Sequence, residues 1–466
     1  MKPSSIFLFA ALTLFSSSCS LPRPDVESWL TNTHDGSALF EKQRPIPLDE
    51  NHTTGFVAIE IDSNQRYQTI DGFGFTLTGG SAHHLMQMST DARAALLQEL
   101  FSTDGTNIGV SYLRVSIGAS DLNAFPFSYN DLPEGQIDPE MVRFDLGPDR
   151  KDVIPVLKEI LAIYPGLKIM GSPWSPPKWM KTNNDTRGGS LKPEYYPAYA
   201  KYFVRYIEQM RAEGIRIDAV TVQNEPLHPG NNPSLLMHAD EMGEFVKSHL
   251  GPAFEKAGID TKIIIYDHNC DRPDYPISIL DDPDAKKHVA GSAFHLYGGT
   301  IDALSAVHEK HPDKEVHFTE QWMGAPGDLS VDMPFHIKQL TIGATRNWSR
   351  TVLEWNLANG PDHKPHTDRG GCDRCLGGIT IDGDEVTRNP AYYVVAHAAK
   401  FVRPGSVRIA SSENDRLPNV AFVTPKGDIA LIVLNESNTT QTFYVKSKKK
   451  QFKATLQQGA VATYIF

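Results

Sequence analysis

Eight short β-rich runs separated by helix-forming stretches constrain the fold of this 466-residue chain more than any other feature. Amphipathic helix patterns lie between several of the runs, for example over residues 90–101 and 197–214. Eight strands that alternate with helices over about 290 residues predict an α/β fold, the (β/α)8 TIM barrel, whose usual length is ~250 residues. A doubly wound sheet is the alternative, but no complete glycine fingerprint follows the first run. The runs occupy residues 72–78, 110–118, 167–174, 218–226, 262–269, 292–298, 315–322 and 350–358.

The segments on either side of the barrel differ from it in composition. After about residue 400, short alternating runs are punctuated by turn signals, which predicts an antiparallel β domain. Residues 56–62 alternate in the same way, and we expect this early strand to pair into that domain. The prediction is therefore a barrel with a β-sandwich side domain built from both ends of the chain. The domain map is a polar, proline-containing linker over 20–45, sandwich strands within 46–70, the barrel over 71–400 and the C-terminal sandwich over 401–466.

The N-terminus is typical of an exported protein. Residues 1–19 contain one lysine, an apolar stretch from Ile6 to Phe15, and small residues that lead into Cys19. This pattern predicts a secretory signal peptide and resembles a bacterial lipobox, in which Cys19 would be lipidated after cleavage. The alternative is simple cleavage near Ser18, with Cys19 incidental. We expect a membrane-anchored bacterial lipoprotein, in the periplasm or at the cell surface, with no later transmembrane helix.

Cys372 and Cys375 form a C-x-x-C pattern within GGCDRCLGG. A zinc site is poorly supported, because no second cysteine pair or histidine pair stands at ligand spacing. In an exported protein we expect a local disulfide between these two cysteines, and two free thiols are the alternative. Cys270 ends an apolar run, so we expect it to be a buried free thiol.

The charge of the chain narrows the class of partner. A formal net charge of −11 argues against nucleic acid as the main partner. A neutral substrate such as a sugar fits better. A metal-dependent hydrolase is a further alternative, but no H-E-x-x-H or similar motif occurs among the histidines. We therefore expect no metal and no cofactor.

Polar and aromatic residues stand near the ends of the predicted barrel strands. In TIM barrels the catalytic groups lie at the C-terminal ends of the strands, so these residues share one predicted rim. Each has an ordinary structural interpretation on its own, as a core aromatic, a turn residue or an ion-pair partner. Their joint placement favours a functional site. The residues are Arg114, Asp121, Trp174, Asn224, Glu225, His295, Tyr297, Glu320 and Trp355.

Glu225 and Glu320 form the most informative pair on this rim. Hydrolysis of a glycosidic bond uses one carboxyl group to protonate the departing oxygen and a second to attack or stabilise the sugar. The fourth and seventh strands face each other across an eight-stranded barrel, so their end residues can flank one sugar. Asp267 and Glu354 are the rival carboxylates. Glu354 immediately precedes Trp355, so we expect it to point to the opposite side of the strand.

Seven motifs occur in one order: DGFGFTLTGGSAHHL, YLRVSIGASDL, GSPWSPPKWMKTN, VTVQNEP, FHLYGG, FTEQW and LEWNLA. From about residue 56 to the C-terminus the chain resembles the glucosylceramidase-type glycoside hydrolases of family 30. The resemblance implies that Glu225 is the acid/base and Glu320 the nucleophile of a retaining mechanism. It implies that Arg114 and His295 support the nucleophile, with a nearby cation keeping Glu320 ionised while Glu225 keeps a raised pKa. Residues implied to line the sugar subsite are Asp121, Trp174, Asn224, Tyr297 and Trp355.

The chain departs from the animal glucosylceramidases after the eighth strand. Their G-G-P-N-W stretch, whose asparagine reaches the sugar, is replaced by NGPDHKPHTDRGGCDRCLGG. Neither Asp362, His363 nor Asp373 is assigned to the role of that asparagine. This loop looks more like that of the microbial endo-β-1,6-glucanases. We therefore expect endo-cleavage of β-1,6-glucan, with a glucosylceramidase or other exo-β-glucosidase as the near alternative and a non-catalytic carbohydrate-binding protein as the distant one.

Overall fold

The computed structural model describes residues 26–49, 57–448 and 450–466. The predicted signal peptide and Cys19 lie outside the described residues, so their prediction stays untested. Among the described helices, none is both long and apolar enough to span a bilayer.

The described residues before the barrel form strands and contradict part of the predicted domain map. The prediction of a linker over 20–45 is wrong for its described part, because the first strand pairs with the second and with the last strand of the chain. Trp29 anchors this segment, being 2% exposed and packed against Phe40 with ring centroids 4.8 Å apart. The sequence concealed the strand because few apolar residues stand in a polar, proline-containing segment. The strands are β1 Glu27–Thr31, β2 Glu41–Lys42 and β3 Val57–Thr69.

Eight parallel strands in the described residues close into a barrel, and each overlaps one of the eight predicted runs. The predicted (β/α)8 barrel is therefore confirmed. The strands are β4 Gly72–Leu77, β5 Tyr112–Ser116, β6 Lys168–Ser172, β7 Ala219–Thr221, β8 Lys262–Cys270, β9 Val289–Gly299, β10 Glu315–Glu320 and, after the short β11 Met323–Gly324 outside the barrel, β12 Ser349–Asn356. β12 pairs with β4, which closes the ring.

Helices surround the barrel and bury their apolar sides against its strands in one continuous core. The described α-helices are α1 Gly79–Gln87, α2 Thr90–Phe101, α3 Val153–Ile163, α4 Tyr196–Ala212, α5 Ala239–Phe245, α6 Gly251–Ala257, α7 Asp274–Leu280, α8 Pro283–Lys286, α9 Ala303–Lys310, α10 Asp332–His336 and α11 Pro390–Ala399. Short 3-10 turns lie at Gly147–Arg150, Lys178–Met180 and Pro193–Tyr195, and π-helical turns at Val246–Leu250 and Ile337–Ala344.

The C-terminal region forms a mainly antiparallel β domain with the N-terminal strands, as predicted. Four short strands come first in the chain, within the loop after the barrel: β13 Ala358–Asn359, β14 Cys375–Leu376, β15 Ile379–Asp382 and β16 Glu385–Arg388. The domain's own C-terminal strands are β17 Val407–Ser411, β18 Asn419–Val423, β19 Ile429–Leu434, β20 Gln441–Ser447, β21 Lys450–Leu456 and β22 Val461–Ile465. The strand order of its sheet is β2-β1-β22-β19-β18-β17-β3-β20-β21, and neighbouring strands are antiparallel except β3 and β20, which are parallel.

Both faces of the central strands of this domain are buried, which explains the unbroken apolar run of β19. Successive side chains point to opposite faces of a sheet. Ala430, Ile432 and Leu434 join the core that is shared with the barrel. Leu431 and Val433 join the separate core of the β domain. The side domain is therefore packed against the barrel through one face of its central strands β18 and β19.

We expect Trp29→Ala to lower the free energy of unfolding by ~3–5 kcal/mol, because it deletes a buried aromatic side chain and leaves a cavity. Urea unfolding of the two proteins measures the difference. The control is Val142→Ala, since Val142 is 80% exposed and its truncation should change stability by less than ~0.5 kcal/mol. Equal stability of Trp29→Ala and the unmodified protein would contradict the anchoring role of this strand.

Candidate active site

The side chains that face the barrel interior change from apolar to polar over two positions along the strands. The apolar layer consists of Tyr112, Met170, Ala219, Ile264, Ala293 and Leu353. Because side chains alternate, the residue two positions later faces the same interior, nearer the C-terminal end of its strand. Five strands there present buried Arg114, Ser172, Thr221, His295 and Trp355. The alternation of each strand therefore places the functional groups directly above an apolar floor.

Strand β8 joins the polar layer through an irregularity. Its pairing register with β9 shifts between Tyr266 and His268, and Tyr266 and Asp267 both have positive φ, of 72° and 65°. A bulge of this kind re-aims side chains next to active sites. Asp267, three positions after Ile264, consequently reaches the polar layer and accepts hydrogen bonds there.

Arg114 is the centre of the buried polar layer. Its guanidinium donates to Glu320 Oε2 at 2.6 Å, to Asp267 Oδ2 at 2.8 Å and to Asn224 Oδ1 at 2.6 Å. Burial lowers the pKa of Arg114, but the negative charges of Asp267 and Glu320 outweigh it, so the pKa is raised. The same contacts and His295 hold the pKa of Asp267 well below its usual range despite its burial. Asp267 is therefore an ionised partner of Arg114, not a proton donor.

Glu225 reaches the cavity through a strained backbone. Strand β7 ends at Thr221, and Glu225 lies beyond it with a φ of 46°. A non-glycine residue in this left-handed region costs roughly 1–3 kcal/mol unless its surroundings hold it. Here the Glu225 N–H donates to the Asp267 carbonyl at 3.0 Å, and the Asn224 N–H donates to the Pro173 carbonyl at 2.8 Å. The residue that follows β6 and a residue of β8 thus hold the backbone that carries the Glu225 carboxyl group.

The two predicted catalytic carboxyl groups lie close together. An oxygen of Glu225, an oxygen of Glu320 and a ring nitrogen of His295 all lie within 4.8 Å of one another. The Tyr297 hydroxyl donates to Glu320 Oε1 at 2.9 Å, and the Asn231 amide donates to Glu225 Oε2 at 3.4 Å. Each carboxylate therefore has its own hydrogen-bond donors.

His295 carries the second positive charge of the site. Its Nδ1 lies 3.2 Å from Glu225 Oε1 and its Nε2 lies 3.1 Å from Asp267 Oδ1. Although burial lowers it, the charge of Glu320 and the hydrogen bonds with Asp267 and Glu225 raise the pKa of His295 to about 9. At neutral pH both ring nitrogens therefore donate.

Glu225 and Glu320 titrate as a pair, because both ionise within one buried space. Burial raises the pKa of Glu320, and the charge of Glu225 adds to the rise while His295 and Arg114 oppose it. Burial also raises the pKa of Glu225, but the hydrogen bond with His295 outweighs this and brings the pKa of Glu225 below the usual value. The expected division, with the raised pKa on Glu225, is reversed in this structure. The reason is that His295 Nδ1 lies 3.2 Å from Glu225 but 3.9 Å from Glu320.

A cavity of about 400 Å³ opens above this layer. The Trp174 and Trp355 rings lie side by side in its wall, with centroids 5.4 Å apart. Arg114, Asn224 and His295 lie behind the wall, and Asn224 contacts the site through Arg114. Six of the nine predicted rim residues line the cavity: Asp121, Trp174, Glu225, Tyr297, Glu320 and Trp355.

The sequence missed several residues of the cavity wall. His228, Asn231, His268, Asn269 and Trp322 also line it, together with both cysteines of the C-x-x-C pattern. Asn269 and Trp322 stand at the ends of predicted strand runs, which is the one signal that could have identified them. His268 lies within strand β8, beyond its register shift, and Cys375 lies in the short β14. The others lie on loops, where no periodicity marks which way a side chain points.

The remaining sequence predictions for this region concern Glu354 and the cysteines. Both carboxylate oxygens of Glu354 lie 2.9 Å from His336 Nδ1 in the surrounding helical layer, so Glu354 points away from the cavity as expected. Cys372 and Cys375 form a disulfide, and Cys270 is a buried free thiol.

Two clusters in the described residues have the side chains of a metal site, but neither suits a cation. In the first, Glu225, His295 and Glu320, the guanidinium of Arg114 already lies against the Glu320 carboxylate at 2.6 Å. In the second, at the opposite end of the barrel, Glu315 is already neutralised by Lys262 at 2.7 Å. Proton transfer and nucleophilic attack by carboxylates are the chemistry that the cavity offers.

Comparison with known proteins assigns the family. The model of the glycosyl hydrolase family 30 TIM-barrel domain matches residues 70–402, and that of the family 30 beta sandwich domain matches residues 405–464. The chain belongs to glycosyl hydrolase family 30. It is a glycosidase, and the family resemblance read from its motifs is confirmed.

Relatives in this family include enzymes with different named substrates. An endo-1,6-beta-D-glucanase of Neurospora crassa is 34% identical over 89% of each chain. A lysosomal acid glucosylceramidase of Mus musculus is 27% identical over 90% of this chain and 85% of its own. The solved structure of the endo-beta1,6-glucanase BT3312 superimposes with a TM-score of 0.87 at 34% identity, covering 95% of this chain and 99% of that one.

We expect the stability contributed by His295 to fall between pH 6.5 and about 9. Its pKa is about 9 in the folded chain, against 6.5 for an unperturbed histidine, so the folded state binds more protons in this interval. The contribution is full below pH 6.5 and is lost as the pH rises through the folded-state value, by roughly 3 kcal/mol at 1.36 kcal/mol per pKa unit. Urea unfolding of the unmodified enzyme and of His295→Gln at pH 6.5 and 9.5 measures this. Identical pH dependence in both proteins would show that His295 does not hold the extra proton.

Proposed function

We propose that this glycosidase cleaves β-glucosidic bonds with retention of configuration, by double displacement through a covalent glycosyl-enzyme. The observation that carries the proposal is the separation of the two carboxyl groups, with oxygens of Glu225 and Glu320 within 4.8 Å. Retaining glycosidases place these groups ~5–5.5 Å apart, whereas inverting enzymes leave ~6.5–9.5 Å for a water molecule.

Glu320 suits the role of nucleophile. Arg114 and Tyr297 each donate a hydrogen bond to one of its oxygens, which stabilises the carboxylate form. An arginine keeps its charge at any working pH, so this support does not depend on protonation. One oxygen of Glu320 attacks the anomeric carbon while the bond from that carbon to the leaving oxygen breaks.

Glu225 suits the role of acid and then base. It gives a proton to the leaving oxygen in the first step and takes one from water in the second, when water displaces Glu320. His295 Nδ1 lies 3.2 Å from Glu225 Oε1, so a proton can pass between the imidazole and this carboxyl group. Transfer along this hydrogen bond produces the carboxylic acid and a neutral imidazole without changing the total charge.

The cavity wall provides groups for the sugar that is cleaved. Trp174 and Trp355 offer apolar faces to sugar C–H groups. Asp121 is nearly buried, and burial with the charges of Glu320 and Glu225 raises its pKa to about 7. Its carboxyl group can accept from or donate to a sugar hydroxyl near neutral pH. Asn224, held through its Oδ1, donates no hydrogen bond from its amide nitrogen within the described residues.

We further propose endo-cleavage of β-1,6-glucan as the activity. The support is the resemblance to endo-1,6-β-glucanases in sequence and in structure, each at 34% identity over most of both chains. The loop after β12, where the animal glucosylceramidase asparagine is replaced, contributes Cys372 and Cys375 to the cavity instead. A glucosylceramidase or exo-β-glucosidase is the second candidate, favoured by the relative from Mus musculus at 27% identity.

Azide should rescue the two carboxylate variants with opposite stereochemistry. On an aryl β-glucoside, Glu320→Gly should lose more than about 10³-fold in kcat, and added azide should yield the α-glucosyl azide. Glu225→Gly should lose about 10²–10⁴-fold on glucan, and azide should give the β-glucosyl azide from the glycosyl-enzyme. Proton NMR of the anomeric signal distinguishes the products. Glu140→Gln, an exposed carboxylate variant, should keep full activity, and the same anomer from both glycine variants would exclude these roles.

Product analysis decides the substrate. The enzyme should release gentiobiose-type oligosaccharides from β-1,6-glucan and little from laminarin, cello-oligosaccharides or glucosylceramide. Chromatography of early time points separates endo from exo action, because an endo enzyme produces a range of oligosaccharides before glucose. Activity on glucosylceramide alone would replace the glucanase proposal with the second candidate.

A further inference from the structure

The Cys372–Cys375 disulfide lies in the wall of the catalytic cavity rather than in a remote loop. Both cysteines line the cavity, and Cys375 is only 4% exposed. Cys375 joins Trp174 and Trp355 in one buried apolar cluster, with Trp322 and Cys372 packed against it. The disulfide therefore contacts the aromatic pair that is proposed to hold the sugar.

The segment that carries the disulfide also holds Asp121. The backbone N–H of Cys372 donates to Asp121 Oδ2 at 3.3 Å. The backbone N–H of Thr367 donates to the Asp121 carbonyl at 2.9 Å. The segment from Thr367 to Cys372 therefore holds both the main chain and the side chain of Asp121. Cys372 lies 251 residues after Asp121 in the chain.

On its other side, the turn is attached to the segment that follows the nucleophile. Cys375 pairs with Gly324 between β14 and β11, and the Ala325 N–H donates to the Arg374 carbonyl at 2.8 Å. The Arg374 guanidinium lies 5.8 Å from the Trp322 ring centroid. The turn over residues 372–375 therefore bridges the loop after β5 and the segment after β10, which lie on either side of the cavity.

Glycines flank this turn on both sides, at 370–371 and 377–378. Glycine backbones restrain a chain less than any other residue, so the flanks alone do not fix the turn. A disulfide that closes so short a loop adds little to global stability, because its effect on the unfolded chain grows with loop length. Its restraint is local and falls on the cavity wall.

We propose that the disulfide-closed turn 372–375 is a positioning element of the sugar subsite. It aims the Asp121 carboxyl group at a sugar hydroxyl and keeps Trp322 and the Trp174–Trp355 pair in place. The proposal rests on the proposed function, since it assigns this cavity to the sugar that is cleaved. A phosphine opens the disulfide by supplying two electrons and becoming the phosphine oxide, while water supplies the oxygen atom and the two protons that complete the two thiols.

The first test compares the oxidised and reduced enzyme. Treatment with a phosphine reductant, followed by alkylation and peptide mass spectrometry, confirms that Cys372 and Cys375 are open and that Cys270 is unlabelled. We expect KM for an aryl β-glucoside to rise at least tenfold, with a smaller change in kcat, a nearly unchanged melting temperature, and recovery on reoxidation. Cys270→Ser should show the same response to reduction. Unchanged KM in the fully reduced enzyme would overturn the proposal.

The second test separates positioning of Asp121 from a general loosening of the loop. Cys372→Ser/Cys375→Ser is combined with Asp121→Asn in a double-mutant cycle. If the disulfide acts through Asp121, the triple variant should lose about as much in kcat/KM as Asp121→Asn alone. The pKa of Asp121 should also rise in the double cysteine variant, because the Cys372 N–H lowers it. The shift is read from the part of the kcat/KM pH profile that Asp121→Asn removes. Fully additive losses with no pH shift would refute the link.

A binding measurement keeps this inference separate from the proposed function. Calorimetry with a glucose-type iminosugar on Glu320→Gln does not need turnover, and reduction should weaken its affinity at least tenfold. An oxidised enzyme that is active while its reduced form binds equally well would refute only the role of the disulfide. An oxidised enzyme that is inactive on every β-glucoside would refute the proposed function, and the iminosugar result would still decide whether the disulfide shapes the cavity.

Discussion

The buried charge of Arg114 is the constraint on which the site depends. A guanidinium with no exposed side-chain surface must be neutralised where it lies, and Asp267 and Glu320 do so at 2.8 and 2.6 Å. Removing one partner of a buried pair costs ~3–5 kcal/mol, because the other charge is left uncompensated. The guanidinium also lies 4.8 Å from the Trp174 ring centroid, so it contacts both the aromatic wall and the proposed nucleophile Glu320.

This arrangement follows from strand alternation and from two places where it is broken. Alternation alone puts Arg114, His295 and Trp355 above the apolar floor of the barrel. Asp267 requires the irregularity in β8, and Glu225 requires a positive φ beyond the end of β7. The two irregular segments are joined by the hydrogen bond from the Glu225 N–H to the Asp267 carbonyl. The strained backbone therefore lies at Glu225 and Asp267, the two carboxylates that regular strand alternation would not place in the site.

Features that depend on residues close in sequence could be predicted, and features that depend on residues far apart in sequence could not. Barrel strands and rim residues could be predicted because a period of two is local and the motifs stand on strand ends. The strand at Glu27–Thr31 was missed, since its partner is the last strand of the chain and its own apolar signal is short. The contact of Cys372 with Asp121 spans 251 residues and leaves no trace in local composition. Contacts between segments that are far apart in the chain could therefore not be predicted from the sequence alone.

The pKa of Glu320 is raised and that of Glu225 is lowered, the reverse of the expected order, because different cations lie beside the two carboxylates. The proposed nucleophile, Glu320, needs a permanent positive charge beside it, and Arg114 provides one. The proposed acid, Glu225, needs a neighbour that can give it a proton. His295, whose pKa is about 9, can do so when the pH or the surrounding charge changes. A lowered pKa of Glu225 next to protonated His295 is then compatible with acid catalysis, because the proton lies one hydrogen bond away. In the proposed mechanism, the roles of the two carboxylates follow from the cation beside each one, Arg114 beside Glu320 and His295 beside Glu225.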